Sequence, residues 1–345
     1  MKHFLILLSL SYFSIAPARA QSGAQTVQLR SLPGRHQVDV IIGGKPFTKY
    51  FYPDSLEKPI LYPLHTASGH TVTRGFPRAP RPGERTDHPH QVGLWFTYEN
   101  VNGLDFWNNS YAIPREKKSH YGWIRQQKIL SVKNGKKGVL KISALWENQQ
   151  GDVLLKELTT FTFSGNTHQR VIDRTTTLTA ATTVTFKDVK DGLIGIRVAR
   201  ALELPSTPQR ERSAGSKGPL RETPSPANGN YLTSEGKTGD QAWGSRARWC
   251  MLYGRQGGEM ESITIFDHPG NPGYPTFWHA RGYGLFAANP LGEKIFTHGE
   301  KSMNLRLAPG QSVTFRYRIL ITDGARAPQS KTLDKMADHF ADTED

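Results

Sequence analysis

Four polar residues crowd into RTDHPH, residues 85–90: Arg85, Asp87, His88 and His90, with the apolar run QVGLWF directly after them. Two imidazoles at i and i+2 can point the same way where the backbone is extended, and Pro89 biases His88 toward that conformation. A His-x-His pair offers two nitrogen ligands to zinc or a similar divalent ion. His88 and His90 are therefore the candidate metal ligands, with His268, His279 or His120 to supply a third. The same residues also suit acid–base catalysis, with Asp87 or Asp105 orienting a histidine. A third reading is structural: Asp87 accepts backbone N–H bonds and the histidines satisfy buried carbonyls. Because Trp95, Asp105, Trp107 and Asn108 follow closely, the cluster as a whole reads as a ligand site.

A second Asp-His-Pro opens residues 266–292, FDHPGNPGYPTFWHARGYGLFAANPLG, which carry Asp267, His268, Trp278, His279 and Arg281. Its prolines remove ladder donors, so the segment is no regular strand throughout. An ordered loop of this composition fits carbohydrate recognition, with aromatic faces on sugar C–H surfaces and polar side chains on hydroxyls. The catalytic candidates are His88, His90, Asp87, Asp105, His268 and His279. The substrate-binding candidates are Arg85, Trp107, Asn108, Asp267, Trp278 and Arg281. The two knots are expected to converge on one cleft. Asp188 and Asp191, before the strand-like GLIGIRVAR, form a lesser pair, and Asp191-Gly192 reads first as a turn.

The elements that must position these residues have period two. SVTFRYRILI (312–321) puts Val313, Phe315, Tyr317, Ile319 and Ile321 on one face, with Thr314, Arg316 and Arg318 on the other. VLKISALW (139–146) and VLLKELTTFTF (153–163) alternate likewise around turn residues 148–152, and RTTTLTAATTVTF suits pleated strands. Gly43-Gly44 and Asn134-Gly135 mark hairpins. Only SKTLDKMADHF carries a helical stripe, Leu333, Met336, Ala337 and Phe340. The expectation is one all-β domain over residues 21–345, a large antiparallel sandwich with a short C-terminal helix on its edge. A long irregular loop interrupts it at about 205–229, rich in Pro, Gly and Ser.

The first twenty residues read as a cleaved export signal: basic Lys2 and His3, an apolar run, then Ala18-Arg19-Ala20. This predicts a periplasmic or secreted protein with no transmembrane segment. Cys250 is the only cysteine, which excludes an intrachain disulfide and a thiolate metal cluster. The formal charge of +14 is scattered rather than striped with aromatics, so nucleic acid is not expected as a partner and a carbohydrate or other small polar substrate is. There is no Gly-x-Ser-x-Gly elbow, Walker A loop or strand–GxGxxG–helix unit, so serine hydrolysis and nucleotide cofactors are not expected. A divalent metal is the one cofactor the histidines leave open.

PRPGERTDHPHQVGLWFTYENVNGLDFWNNS, KDGLIGIRVAR, AWGSRARW and the 266–292 segment together resemble the PmoA-like family of exported bacterial proteins, a family of unknown function. Its "methane oxygenase" label does not suit a chain without membrane-spanning helices. The resemblance implies a β-supersandwich related in appearance to galactose mutarotase-like proteins, with the site on a concave sheet, and it transfers no catalytic residue. The functional expectation is an exported carbohydrate-active hydrolase, lyase or epimerase with a His/Asp-rich cleft. The alternative is a non-catalytic glycan-binding envelope protein.

Overall fold

The structure, a computed structural model, describes residues 23–205 and 227–343. The expected export signal and most of the 205–229 loop lie outside the described residues. Strands follow one another as β1 (Val27–Leu32), β2 (Gln37–Ile42), β3 (Lys45–Phe51), β4 (Ile60–Leu61), β5 (Leu94–Tyr98), β6 (Trp123–Lys133), β7 (Gly138–Glu147), β8 (Val153–Gly165) and β9 (Gln169–Ala180). After them come β10 (Val184–Thr185), β11 (Gly192–Arg197), β12 (Asn230–Thr233), β13 (Trp249–Gln256), β14 (Glu259–Asp267), β15 (Phe277–Ala280), β16 (Leu285–Asn289), β17 (Arg306–Leu307) and β18 (Ser312–Gly324). Two helices, α1 (Glu293–Phe296) and α2 (Ser330–Ala341), fall late in the chain.

Sixteen of these strands form two eight-stranded antiparallel sheets, in the orders β1-β2-β3-β4-β5-β11-β16-β15 and β12-β13-β14-β18-β9-β8-β7-β6, and β10 pairs with β17 in a separate two-stranded sheet. Alternation decides what lies between them. Phe315, Tyr317, Ile319 and Ile321 of β18 meet Phe96 of β5, Ile194 of β11 and Phe286 of β16 in one apolar core fed by both sheets. The expected fold class is therefore the observed one. At the hairpin between β2 and β3, Gly43 and Gly44 take φ of +59° and +76°, the left-handed pair that a two-residue turn needs. No helix among the described residues is long and apolar enough to cross a membrane.

One expectation needs correcting. Helix α2 lies on the outward face of β13, β14 and β18, not on an edge, because Trp249, Met251, Phe266 and Leu320 leave an apolar patch there for Leu333, Ala337 and Phe340 to cover. Arg248 pins the helix through Asp334 (2.8 Å) and Asp338 (2.6 Å). At the far edge of the same sheet, β6 is interrupted by two register shifts, between Gln126 and Lys128 and between Ile129 and Ser131.

Candidate functional site

The outward face of the first sheet carries a second, smaller apolar cluster of Ile60, Val92, Trp95, Trp107, Leu285 and Ala287. Strand register explains it. Leu94, Phe96 and Tyr98 of β5 point into the main core, so Trp95 and Thr97 point out. The same parity turns Gly195 and Arg197 outward on β11, Ala287 on β16 and His279 on β15. Pairing aligns Trp95, Gly195, Ala287 and His279 in one row across four strands. Between the indole and the imidazole stand only a hydrogen and a methyl, which makes a shallow floor. A Cβ on Gly195 would lie 2.8 Å from ring atoms of both Trp95 and Trp107.

His279 is the buried end of this row, 1% exposed, with Nδ1 3.2 Å from Asp191 Oδ1. The approach is too oblique for a hydrogen bond, and Nδ1 has no hydrogen-bond partner. Burial, helped by the charges of Lys190 and Arg281, lowers the proton affinity of His279 to about 3, so the imidazole is neutral at physiological pH. Asp191 in turn donates its backbone N–H to Glu99 Oε2 at 3.3 Å. Burial and the neighbouring Asp191 and Asp105 charges raise Glu99 to about 7. Asp191 and Asp105 are raised for the same first reason, burial. Asp105 is further held by Asn108, whose backbone N–H and side-chain amide donate to its two oxygens at 2.8 and 2.9 Å.

The first knot forms the other side of the site. Asp87 Oδ1 accepts from Arg74 (2.8 Å) and Arg197 (2.7 Å), two guanidiniums buried to 1% and 0% exposure. Burial alone would raise Asp87, but the bond from His88 and the charges of Arg197, His88 and Arg74 outweigh it and hold the carboxyl well below its usual range. Arg74 also donates to the carbonyls of Asp87, His88 and Gln91, which fixes the loop's course. His88 is not extended as Pro89 led us to expect. It takes φ +45° and opens a turn closed by Gln91 N–H to its carbonyl at 3.0 Å, with Pro89 at the position where proline suits a turn. The two rings still meet, edge to face at 5.6 Å. His88 stacks on Tyr283 at 5.3 Å and is 42% exposed, which puts this pair at the mouth. His90 lies deeper, and burial together with the charges of Lys58, His88 and the two arginines keeps it neutral.

The sequence candidates thus divide. Asp87, His88, His90, Asp105, Trp107, Asn108 and His279 surround this face. Arg85 stands beside it, paired with buried Glu203 at 3.2 Å. Arg281 lies over the rings of Trp243 and Tyr283, at 5.3 and 5.9 Å. Trp278 does not reach the site. Alternation on β15 turns it into the main core, where its Nε1 donates to Ala247 O at 3.1 Å, so stacking on a ligand is out of its reach. The second Asp-His-Pro knot also goes elsewhere. Asp267 ends β14 in the second sheet and binds Asn271 (2.7 Å) and the Thr276 N–H (2.8 Å). The ring of His268 meets Phe340 of α2 at 5.1 Å. Asp188 is committed to the backbone of Lys294, Met303 and Asn304.

Residues the sequence reading passed over are Glu99, Lys58 and Tyr283. For Glu99 a signal existed: Trp95, Thr97 and Glu99 sit at i, i+2 and i+4, one face of an extended run. Four buried polar atoms on this face, Trp95 Nε1, Trp107 Nε1, Thr97 Oγ1 and His279 Nδ1, lack a hydrogen-bond partner. Buried donors are rarely left so unless something else satisfies them. A metal fits less well. Among the described residues no three His, Cys, Asp or Glu side chains are arranged to hold one, and His88 Nδ1 faces Asp87 Oδ2 at 3.2 Å.

Solved structures similar to the chain match it at low identity. One is the galactosidase domain of the alpha-galactosidase–sucrose kinase AgaSK, 9% identical with a TM-score of 0.37, covering 86% of this chain and 42% of that one. Another is a putative aldose 1-epimerase from Escherichia coli K12, 13% identical with a TM-score of 0.34, covering 88% of this chain and all of that one. A galactose mutarotase related enzyme from Lactobacillus acidophilus is 8% identical with a TM-score of 0.31, covering 88% of this chain and 99% of that one. The chain spans less than half of the AgaSK chain it matches. No curated protein sequence matches it. The PmoA-like resemblance rests on the quoted motifs alone. One family profile does match, over residues 37–338, and by it the chain belongs to the family of unknown function DUF6807.

Proposed function

We propose that the outward face of the first sheet is the active site of an exported carbohydrate-active enzyme, one that moves a proton on its sugar substrate during hydrolysis, elimination or epimerisation. The observation that carries this reading is the pair His279 and Glu99, set on either side of Asp191. The buried imidazole of His279 is unprotonated and so has a free lone pair to take up a proton, and a carboxyl raised to about 7 still holds one to give. Environments that push two titratable groups apart in this way mark acid and base partners. Asp191, 3.2 Å from Nδ1 of His279, gives the imidazole a carboxylate neighbour. Trp95, Trp107 and Thr97 offer donors to hydroxyls, and His88 with Tyr283 guards the entrance. Export is supported by residues 1–20, and N-terminal sequencing of the secreted protein should begin at Gln21.

The decisive experiment screens monosaccharides, uronates and oligosaccharides by proton NMR in deuterium oxide, following anomeric exchange, deuterium uptake at carbon and bond cleavage. Wild type should turn over at least one of them. His279→Gln should slow that reaction by about 10²–10⁴-fold, the usual share of a general base, while changing ligand affinity little. Ligand binding without turnover in wild type would favour the glycan-binding alternative, and unchanged turnover in His279→Gln would remove the proposed base.

A further inference from the structure

Lys58 is the buried cation that this mechanism leaves unused. It is 5% exposed, and its Nζ donates to Trp107 O at 2.9 Å. An ammonium has three donors. No carboxylate forms an ion pair with Lys58 among the described residues, whereas nearby Lys118 and Lys190 reach Glu57 (3.7 Å) and Asp191 (3.6 Å). Burial lowers Lys58 to about 8, against the pull of Glu57 and Asp105, so it is mostly charged at neutral pH. A buried charge without a counter-charge is costly, and a site that keeps one generally has a use for it.

Lys58 lines a cavity of about 40 Å³ together with His90, Ile60, Val92, Pro89 and Tyr111. Ile60 and Val92 also belong to the apolar cluster beneath the proposed active site, so the cavity borders that cluster. Space of roughly 10–15 Å³ on this measure admits one water. The cavity thus has room for about three heavy atoms, the size of a carboxylate and smaller than a phosphate or sulfate group. The ring of His90, which makes no hydrogen bond to the described residues, stands beside Lys58; Ser55, Asn109 and Glu57 also line the cavity, and the Glu57 carboxylate is paired with Lys118 at 3.7 Å.

We infer that this cavity is the carboxylate subsite of the active site, and that the substrate class is a uronic acid or another sugar bearing a carboxylate. The inference rests on the carbohydrate reading above and narrows it. The ligand carboxylate supplies Lys58 with its missing counter-charge, accepts the donors left over from Trp107 O, and holds the sugar ring against Trp95 and Trp107.

The test measures calorimetric binding of D-galacturonate and D-glucuronate against D-galactose and D-glucose, using the full mature chain. One uronate should bind at least about tenfold more tightly than its neutral parent, a difference of about 1.4 kcal/mol. Lys58→Met should erase that preference and leave neutral-sugar binding in place. Equal affinities, no uronate binding in the millimolar range, or a preference that survives in folded Lys58→Met would each overturn the subsite. Should Lys58→Met fail to fold, the wild-type ratio decides alone. The two readings fail separately: a uronate preference without turnover sinks only the enzyme, and turnover of neutral sugars alone sinks only the subsite.

Discussion

Glu99 is the residue whose chemistry is most exposed to measurement. Its proton affinity is raised from 4.5 to about 7, first by burial and then by Asp191 and Asp105. A raised acid holds its proton more firmly folded than unfolded. The folded state therefore loses stability as pH rises from about 4.5 to about 7, and stays lower beyond that. Urea unfolding at pH 5 and pH 8 should show this loss in wild type and a smaller one in Glu99→Gln. Activity should follow the same proton, falling above pH 7 if Glu99 is the acid. A stability difference between the two pH values that is the same in Glu99→Gln would place the raised proton affinity elsewhere. Glu261 and Asp267 are raised to about 7 as well, so the comparison with the variant matters more than the wild-type curve.

Among the elements, β11 carries a constraint that bears directly on the site. Gly195 lets the indoles of Trp95 and Trp107 rest directly on the strand, 2.8 Å from where a Cβ would stand. Gly195→Val forces both rings outward and costs about 1–3 kcal/mol of overpacking. Thermal unfolding should register that loss, together with weaker ligand binding. Gly93, just before β5, is equally fixed: it has φ +63°, and a Cβ there would lie 2.3 Å from Leu61 O. How much of this was legible depends on distance along the chain. Local alternation found the strands and the core faces of β7, β8 and β18, because a period of two needs only neighbouring residues. It also tells Trp278 from His279 once β15 is recognised, but four residues hemmed in by proline and glycine concealed that strand. The convergence of Asp87, Arg74 and Arg197 was not legible at all, since it depends on which strands pair. Nor was the fate of the second Asp-His-Pro, which repeats the first in sequence and not in place. Lys58 left no sequence signal, because its significance is the lack of a carboxylate within ion-pair distance among the described residues.

Taken whole, the molecule interleaves its sheets. The first uses β1 to β5, β11, β15 and β16, and the second uses most of the strands between and after them. No single cut of the chain separates the layers, and one core takes residues from both. We predict one cooperative transition, with intrinsic tryptophan fluorescence and far-ultraviolet circular dichroism coinciding. Separate transitions would mean that the layers fold independently. Phe340→Ala, in α2, should lower the midpoint by removing about 3–5 kcal/mol of packing over Trp249 and Phe266, and should leave ligand affinity unchanged, because α2 covers the sheet opposite the site.

The two register shifts in β6 bear on how copies of the molecule meet. A long outermost strand with regular, flat pairing would present a row of unmatched amides and carbonyls to any other chain. The shifts at Gln126–Lys128 and Ile129–Ser131 break that row, and Lys128 and Lys133 add charge along it. At the opposite margin of the first sheet, the outer side of β15 is already closed by Gly244 and Ser245, which exchange backbone bonds of 2.8 and 2.9 Å with Trp278. The strand that carries His279 therefore offers no template for fibre growth, and the bulged β6 offers a poor one, so concentrating the protein adds little hazard of cross-β aggregation from either margin.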